Sequence, residues 1–105
     1  MIVLKTQTEL ETMKKACKIS ADALNVAEEW IKPDITTKEI DRRIHDFITK
    51  SGATPSFLNY MGYPASACIS VNDVVIHGIP SNYRLKEGDI VSIDVGAYYQ
   101  GFHGD

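Results

Sequence analysis

The chain has 105 residues and a mass of 11.7 kDa, with 44% hydrophobic, 9% aromatic and 24% charged residues. These are ordinary globular proportions, which exclude a disordered chain, a collagen and a disulfide-rich scaffold. Its 11 basic and 14 acidic residues give a formal charge of −3, a weakly acidic balance that argues against non-specific binding to nucleic acid or anionic membranes. The two cysteines are too few for a disulfide framework, and no stretch resembles a signal peptide or a membrane span. We therefore expect one small domain with free thiols in the reducing cytoplasm.

The first predicted elements are a short strand at the apolar residues 2–4 and a long helix after it. Thr6 and Glu9 form the capping-box pattern that starts a helix, and Pro33 ends it because proline cannot continue the hydrogen-bond ladder. On this helix Cys17 is interpreted as a buried small hydrophobe rather than a reactive thiol. Spacings of three and four residues predict its buried stripe: Leu10, Met13, Cys17, Ser20, Leu24, Ala27 and Ile31.

A second helix is predicted to begin at Thr36, with Glu39 three residues later and Gly52 just after its end. His45 lies beside its apolar stripe and is expected at the solvated surface. The stripe itself consists of Ile40, Ile44, Phe47 and Ile48.

The second half of the chain has the residue pattern of strands and turns. Residues 67–71 and 74–77 are short β-branched runs on either side of Asn72 and Asp73, a pair that favours a turn. Residues 86–89 indicate another turn. Residues 90–98 form the strongest predicted strand.

Asp94 calls for a chemical explanation because it lies in the middle of that strand. Residues 91, 93 and 95 are apolar and share one face, whereas Ser92 and Asp94 share the other. Aspartate is depleted in strands, and an unpaired charge is costly to bury. Two interpretations stay open: this face meets water, or the carboxylate binds a metal or takes part in catalysis.

The spacing between Asp94 and Asp105 bears on that choice. A two-residue loop at 99–100 pairs Tyr98 with Gly101 and places the two aspartates directly opposite each other. Their Cβ atoms would then be roughly 4.5–5.5 Å apart, and like charges so opposed destabilise a sheet. A bound cation reverses that sign, and hard divalent metals prefer carboxylate oxygens. From spacing alone, a metal site and a solvent-facing pair both remain possible.

Several segments of the chain resemble the signature motifs of type I methionine aminopeptidases. They are residues 70–80 (SVNDVVIHGIP), 87–96 (EGDIVSIDVG) and 101–105 (GFHGD), together with the segment 55–68 and the opening residues 4–6. The resemblance covers the whole chain, with its motifs in order. It implies an α+β pita-bread fold, the creatinase and aminopeptidase type. The chain would be the N-terminal half of that fold, with two helices packed on a curved antiparallel sheet.

The resemblance also implies an activity. It points to a cytoplasmic hydrolase that removes the initiator methionine from new polypeptides. The family's cofactor is a pair of divalent ions, with Co, Mn, Fe, Zn and Ni as candidates, held by two aspartates, one histidine and two glutamates. The implied partners are N-terminal methionyl peptides of nascent proteins. The ribosome stays open as a further partner, and neither a specific nucleic acid nor a membrane is expected.

Individual residues match the family's motifs position by position. Asp94 and Asp105 take the places of the two aspartate ligands. His77 takes the place of the catalytic histidine that contacts substrate near the scissile bond. The positions that match the methionine pocket are Tyr60, Tyr63, Cys68 and Phe57. Without the resemblance, His77 is interpreted as a satisfied strand-end residue and the two tyrosines as packing residues.

The chain departs from the family's pattern in two scaffold residues and in length. Cys17 and Asp34 stand where the family commonly has glycine. The sequence stops after Asp105, before the family's histidine and glutamate ligands. We therefore expect residues 1–105 to be the N-terminal portion of a catalytic domain, truncated after the second aspartate ligand and able to bind metal only weakly alone.

Other outcomes remain open for such a chain. An uncovered sheet edge favours self-association, and a two-fold dimer could imitate the missing half. Another pita-bread hydrolase, such as a prolidase or aminopeptidase P, is an alternative to methionine chemistry. So is a non-catalytic binding module that keeps the fold.

Overall fold

The computed structural model describes residues 6–58, 64–72 and 78–104. Within these ranges the protein has an α+β arrangement in which two helices pack on two small antiparallel sheets. Strands β1, β4 and β5 form one sheet in that order, and β2 pairs with β3 in the other. The predicted strands at 2–4 and 74–77 lie outside the described residues. The elements are α1 (Gln7–Trp30), α2 (Thr37–Lys50), β1 (Thr54–Pro55), β2 (Ala67–Val71), β3 (Val91–Val95), β4 (Ala97–Tyr99) and β5 (Phe102–Gly104).

Both ends of α1 follow the sequence prediction. The Thr6 backbone N–H donates to Glu9 Oε1 at 2.8 Å, and Glu9 N–H donates to Thr6 Oγ1 at 3.1 Å, which completes the capping box. The helix ends at Trp30, shortly before Pro33. Asp34 has φ of +74°, so this aspartate adopts the left-handed conformation that glycine takes most easily and aspartate tolerates.

The predicted buried stripe of α1 is confirmed at Ser20 and Ala27, which are buried, and is wrong at four of its other members. Its exposed members are Leu10, Cys17, Leu24 and Ile31. Cys17 is therefore not the buried hydrophobe expected from its spacing. The buried face of the helix carries only small residues: Ala16, Ser20, Ala23 and Ala27.

The small face of α1 is explained by its close approach to the β4–β5 hairpin. A Cβ atom built on Gly104 would overlap the Ala16 carbonyl and the Cys17 nitrogen, so helix and strand backbones are nearly in contact. Ser20, only 2% exposed, joins α1 to both strands. Its Oγ donates to the Gly104 carbonyl at 2.6 Å and accepts from the Ala97 N–H at 3.0 Å. A larger side chain on this face would separate the helix from the hairpin.

Helix α2 supplies the apolar centre of the core, as its pattern predicts. Thr36 Oγ1 accepts the Glu39 N–H at 3.1 Å, and Gly52 follows the helix end with φ of +82°. The expectation for His45 is wrong, because this residue is half-buried and its Nδ1 lies 2.9 Å from Ser66 Oγ. The stripe residues Ile40, Ile44 and Ile48 are fully buried, and Phe47 packs against them half-buried.

The strand predicted at 90–98 is divided at Gly96 into β3 and β4, which belong to different sheets. Strand β3 keeps the predicted alternation. Ser92 and Asp94 are exposed, whereas residues 91, 93 and 95 are buried or half-buried. Asp94 therefore lies on the exposed face of β3.

The hairpin turn lies one residue later than predicted. Its two loop residues are Gln100 and Gly101, with φ of +46° and +91°, a pair of positive values that suits a tight antiparallel hairpin. Tyr98 consequently pairs with His103 and not with Gly101. The predicted register that set Asp94 directly opposite residue 105 is thus wrong, and Asp105 itself lies outside the described residues.

Neither helix is both long and apolar enough to cross a bilayer, as far as the described residues extend.

We expect Ser20→Ala to lower the free energy of unfolding by about 1–3 kcal/mol, because the Gly104 carbonyl and the Ala97 N–H lose a buried partner. Urea unfolding of the protein measures the change. Thr8→Ala removes an exposed hydroxyl from the same helix and should shift stability by less than about 0.5 kcal/mol. Equal effects of the two substitutions would contradict the role assigned to Ser20.

The two thiols should differ in reactivity in the native protein. Cys17 is exposed and should react with an aromatic disulfide reagent at once, whereas Cys68, 5% exposed, should react only after denaturation. The Cys17→Ser variant should lose the rapid phase of the absorbance change. A rapid phase that survives in this variant would show that Cys68 is accessible and would overturn the burial described above.

Candidate metal and substrate site

The β2–β3 pair brings two of the predicted site residues together. In its register Cys68 lies directly opposite Asp94. Directly opposed residues point to the same face of a sheet, with Cβ atoms roughly 4.5–5.5 Å apart. Cys68 is buried, whereas Asp94 is exposed. The pair therefore places a hard anionic oxygen donor beside a small, polarisable and apolar side chain.

Gly78 fixes the chain that follows residues 73–77 against the same strand. Its carbonyl accepts the Ile69 N–H at 2.8 Å, and its N–H donates to Ser70 Oγ at 3.1 Å. A Cβ atom at this position would overlap the Ile69 carbonyl. Glycine is required here because backbone meets backbone. The residue after His77 thus lies against Ile69 and Ser70 of β2.

The start of β2 is held by hydrogen bonds from α2. Asp41 Oδ1 accepts the backbone N–H of Ser66 at 3.0 Å and of Ala67 at 2.8 Å. Burial raises the pKa of the Asp41 carboxyl, against the opposing effects of these two hydrogen bonds and of His45. His45 adds its contact with the Ser66 hydroxyl one helical turn further along.

The far end of β2 is tied to the turn at 86–89. The Asn72 side chain donates to Asp89 Oδ1 at 2.9 Å, and Lys86 N–H donates to Asp89 Oδ2 at 2.8 Å. The Tyr83 hydroxyl also donates to Oδ2, at 2.9 Å. These hydrogen bonds, that of Asn72 foremost, hold the pKa of Asp89 below its ordinary value. The predicted turn is confirmed, with Gly88 at φ of +90°.

Phe57 follows Ser56, which is hydrogen-bonded to Gly96 between β3 and β4. The Ser56 N–H donates to the Gly96 carbonyl at 2.9 Å, and Ser56 Oγ is hydrogen-bonded to His103 Nδ1 at 2.8 Å. Phe57 itself is half-buried. His103, exposed, also lies with its ring centroid 4.5 Å from that of Tyr98.

The other predicted site residues, Tyr60, Tyr63, His77 and Asp105, lie outside the described residues. The structure thus places Cys68 opposite Asp94, and it sets Phe57 directly after Ser56, which is hydrogen-bonded to Gly96. The roles of all seven residues stay predictions.

The described residues fit part of a metal site. The exposed carboxylate of Asp94 is a ligand type that divalent cations accept. Among the residues that the structure describes, no group of three His, Cys, Asp or Glu side chains is close enough to hold an ion. A stable site at Asp94 therefore needs ligands from outside the described ranges.

The sequence pattern does not predict the residues that fix the strands of the candidate site through long-range hydrogen bonds. Asp41 bonds residues 25 and 26 positions away, so no local spacing marks it. Ser20 is predicted on the buried stripe, but spacing does not reveal its contact with a residue 84 positions away. Gly78 has one usable signal, because a glycine beside a β-branched run indicates close backbone approach.

Comparisons with known proteins agree with this arrangement. The chain is 56% identical, over all 105 residues, to the methionine aminopeptidase of Clostridium perfringens and covers 42% of that protein. The structure of the methionine aminopeptidase from Thermotoga maritima superimposes with a TM-score of 0.92 at 43% identity, covering 98% of this chain and 42% of that one. The prolidase of Pyrococcus furiosus superimposes with a TM-score of 0.82 at 29% identity, covering 96% of this chain and 28% of that one.

These proteins share a fold, and the chain spans about two fifths of the length of its methionine aminopeptidase relatives. The α+β pita-bread arrangement expected from the sequence is confirmed by these neighbours. The model of the family described as "Metallopeptidase family M24" matches residues 11–105. With nearly the whole chain matched, the protein belongs to metallopeptidase family M24.

Proposed function

We propose that this chain forms the N-terminal part of the catalytic domain of a methionine aminopeptidase, which removes the N-terminal methionine from newly made proteins. The observation that carries the proposal is the cross-strand pair of Cys68 and Asp94. It sets a candidate metal ligand beside a candidate wall of the methionine pocket. The 56% identity to a methionine aminopeptidase, against 29% to a prolidase, supports methionine over proline chemistry.

In this proposal Asp94 and Asp105 would hold two divalent ions, together with ligands from outside the residues that the structure describes. When bound, such ions supply Lewis-acid polarisation of the scissile carbonyl and lower the pKa of a water molecule. The two carboxylates neutralise part of the ions' charge. Co, Mn, Fe, Zn and Ni remain candidates, because carboxylate ligands alone do not select among them.

The substrate is held by residues of other types. His77 donates a hydrogen bond to the peptide as negative charge develops in the tetrahedral intermediate. Tyr60, Tyr63, Phe57 and Cys68 surround the methionine side chain, for which aromatic walls and sulfur contacts are suited. The position of Gly78 supports the role of His77, because Gly78 directly follows that residue and the Gly78 backbone is hydrogen-bonded to β2.

The proposal extends to where the reaction takes place. Initiator methionine is present on chains that leave the ribosome, so a cytoplasmic enzyme that works near the ribosome is the matching setting. Neither Cys17 nor Cys68 forms a disulfide in the described part of the chain, in keeping with a reducing compartment.

The direct test is hydrolysis of a Met-Gly-Ser peptide by the full-length protein that contains these residues, with Mn(II) or Co(II). Asp94→Asn should lower kcat/KM more than roughly 100-fold, because loss even of a residue that orients a metal ligand costs about 10–100-fold. Calorimetric titration should show weaker metal binding by the same variant.

Controls separate this proposal from its alternatives. Asp22→Asn removes an exposed carboxylate from α1 and should leave both readouts unchanged. Preference for an Xaa-Pro dipeptide over the methionyl peptide would assign prolidase chemistry instead. If the wild-type protein showed no metal-dependent hydrolysis of either peptide, the result would favour a non-catalytic binding module. The 105-residue chain alone should be inactive.

A further inference from the structure

Asp41 and His45 contact the start of β2 from one edge of α2. They lie one helical turn apart, and both reach Ser66, which is 2% exposed. Asp41 Oδ1 also accepts the Ala67 N–H. Three hydrogen bonds therefore connect α2 to two consecutive residues of another segment. We refer to Asp41 and His45 as the α2 clamp.

The clamp rests on a rigid base. Its helix is anchored in the core by Ile40, Ile44 and Ile48, each fully buried. Asp41 follows Ile40 and His45 follows Ile44, so their backbone positions are set by residues buried in the core. A contact made from such a base fixes the position of whatever it holds.

The clamped residues lie directly beside the candidate site. Ala67 pairs with Val95, and the next residue, Cys68, pairs with Asp94. A displacement of Ser66 and Ala67 is therefore passed along β2 to the thiol that faces the candidate ligand. The clamp holds one side of this pair, and β3 carries the other.

Keeping the half-buried Asp41 carboxylate charged costs free energy, because burial raises its pKa. The ion pairs on α2 join Glu39 to Arg42 and Arg43, and Asp46 to Arg42. What Asp41 gains is the pair of backbone N–H groups on a single oxygen. Such a half-buried carboxylate on backbone amides is suited to fixing the chain it accepts from.

We propose that the α2 clamp positions the wall of the methionine subsite, so that Asp41 and His45 are positioning residues for substrate selection. This inference rests on the proposed function. It predicts that loss of the clamp affects recognition of the methionine side chain more than it affects the metal-dependent chemical step.

The test compares kcat and KM of the full-length protein for Met-Gly-Ser and Leu-Gly-Ser peptides. Asp41→Ala should raise KM for the methionyl peptide about tenfold and lower the Met-over-Leu preference by a similar factor, because small misplacements at a binding site are costly. Binding of free L-methionine, measured by calorimetry, should weaken in parallel. Metal affinity should stay within about twofold of the wild-type value.

Three further variants make the test specific. Asp41→Asn keeps the Oδ1 acceptor and should restore both KM and preference. His45→Ala should act in the same direction as Asp41→Ala with a smaller effect, and it serves if the latter does not fold. Asp46→Ala removes a more exposed carboxylate from the same helix and should behave as wild type.

The outcomes separate this inference from the proposed function. Wild-type KM and preference in folded Asp41→Ala and His45→Ala would overturn the clamp's role while leaving the aminopeptidase proposal intact. Failure of Asp41→Asn to restore recognition would also overturn it. A wild-type protein without methionyl-peptide hydrolysis would instead defeat the proposed function.

Discussion

The near-contact between α1 and the β4–β5 hairpin is the constraint on which the arrangement of the chain depends. At Gly104 the strand backbone approaches the backbone of Ala16 so closely that no Cβ atom fits. The Ser20 hydroxyl then satisfies both strands at this point, where each has a polar group turned toward the helix. Because β4 continues from β3 through Gly96, this contact also orients the strand that carries Asp94.

The second helix acts on the other side of the site. Its apolar stripe forms the centre of the core, and its polar edge holds the start of β2 through Asp41 and His45. Each helix thus supports different strands, since α1 fixes β4 and β5 whereas α2 fixes β2. Cys68 and Asp94 meet where these two supports join. The Ser20 contact on one side and the Asp41 contact on the other therefore help to fix the strands that place Cys68 opposite Asp94.

Features with a local cause could be predicted from the sequence. The caps at Thr6 and Thr36 and the stripe of α2 depend on residues within one or two helical turns, and all are confirmed. The prediction for α1 holds at Ser20 and Ala27 but fails at large residues such as Leu24, because hydrophobicity favours burying them whereas a close backbone approach selects small residues. The hairpin register and the bonds of Asp41 depend on tertiary geometry, which spacing does not encode. The family motifs predict site roles for Cys68 and Asp94, whereas the strand pattern alone is equally consistent with a face that meets water.

A crystal structure of the full-length protein soaked in Mn(II), with anomalous scattering recorded, tests the metal centre most directly. The arrangement of β2 and β3 predicts an anomalous peak roughly 2.0–2.6 Å from a carboxylate oxygen of Asp94, on the face shared with Cys68. The assignment of Asp94 as a metal ligand would be contradicted if the protein hydrolysed methionyl peptides while Mn(II) was bound elsewhere and Asp94 faced only water.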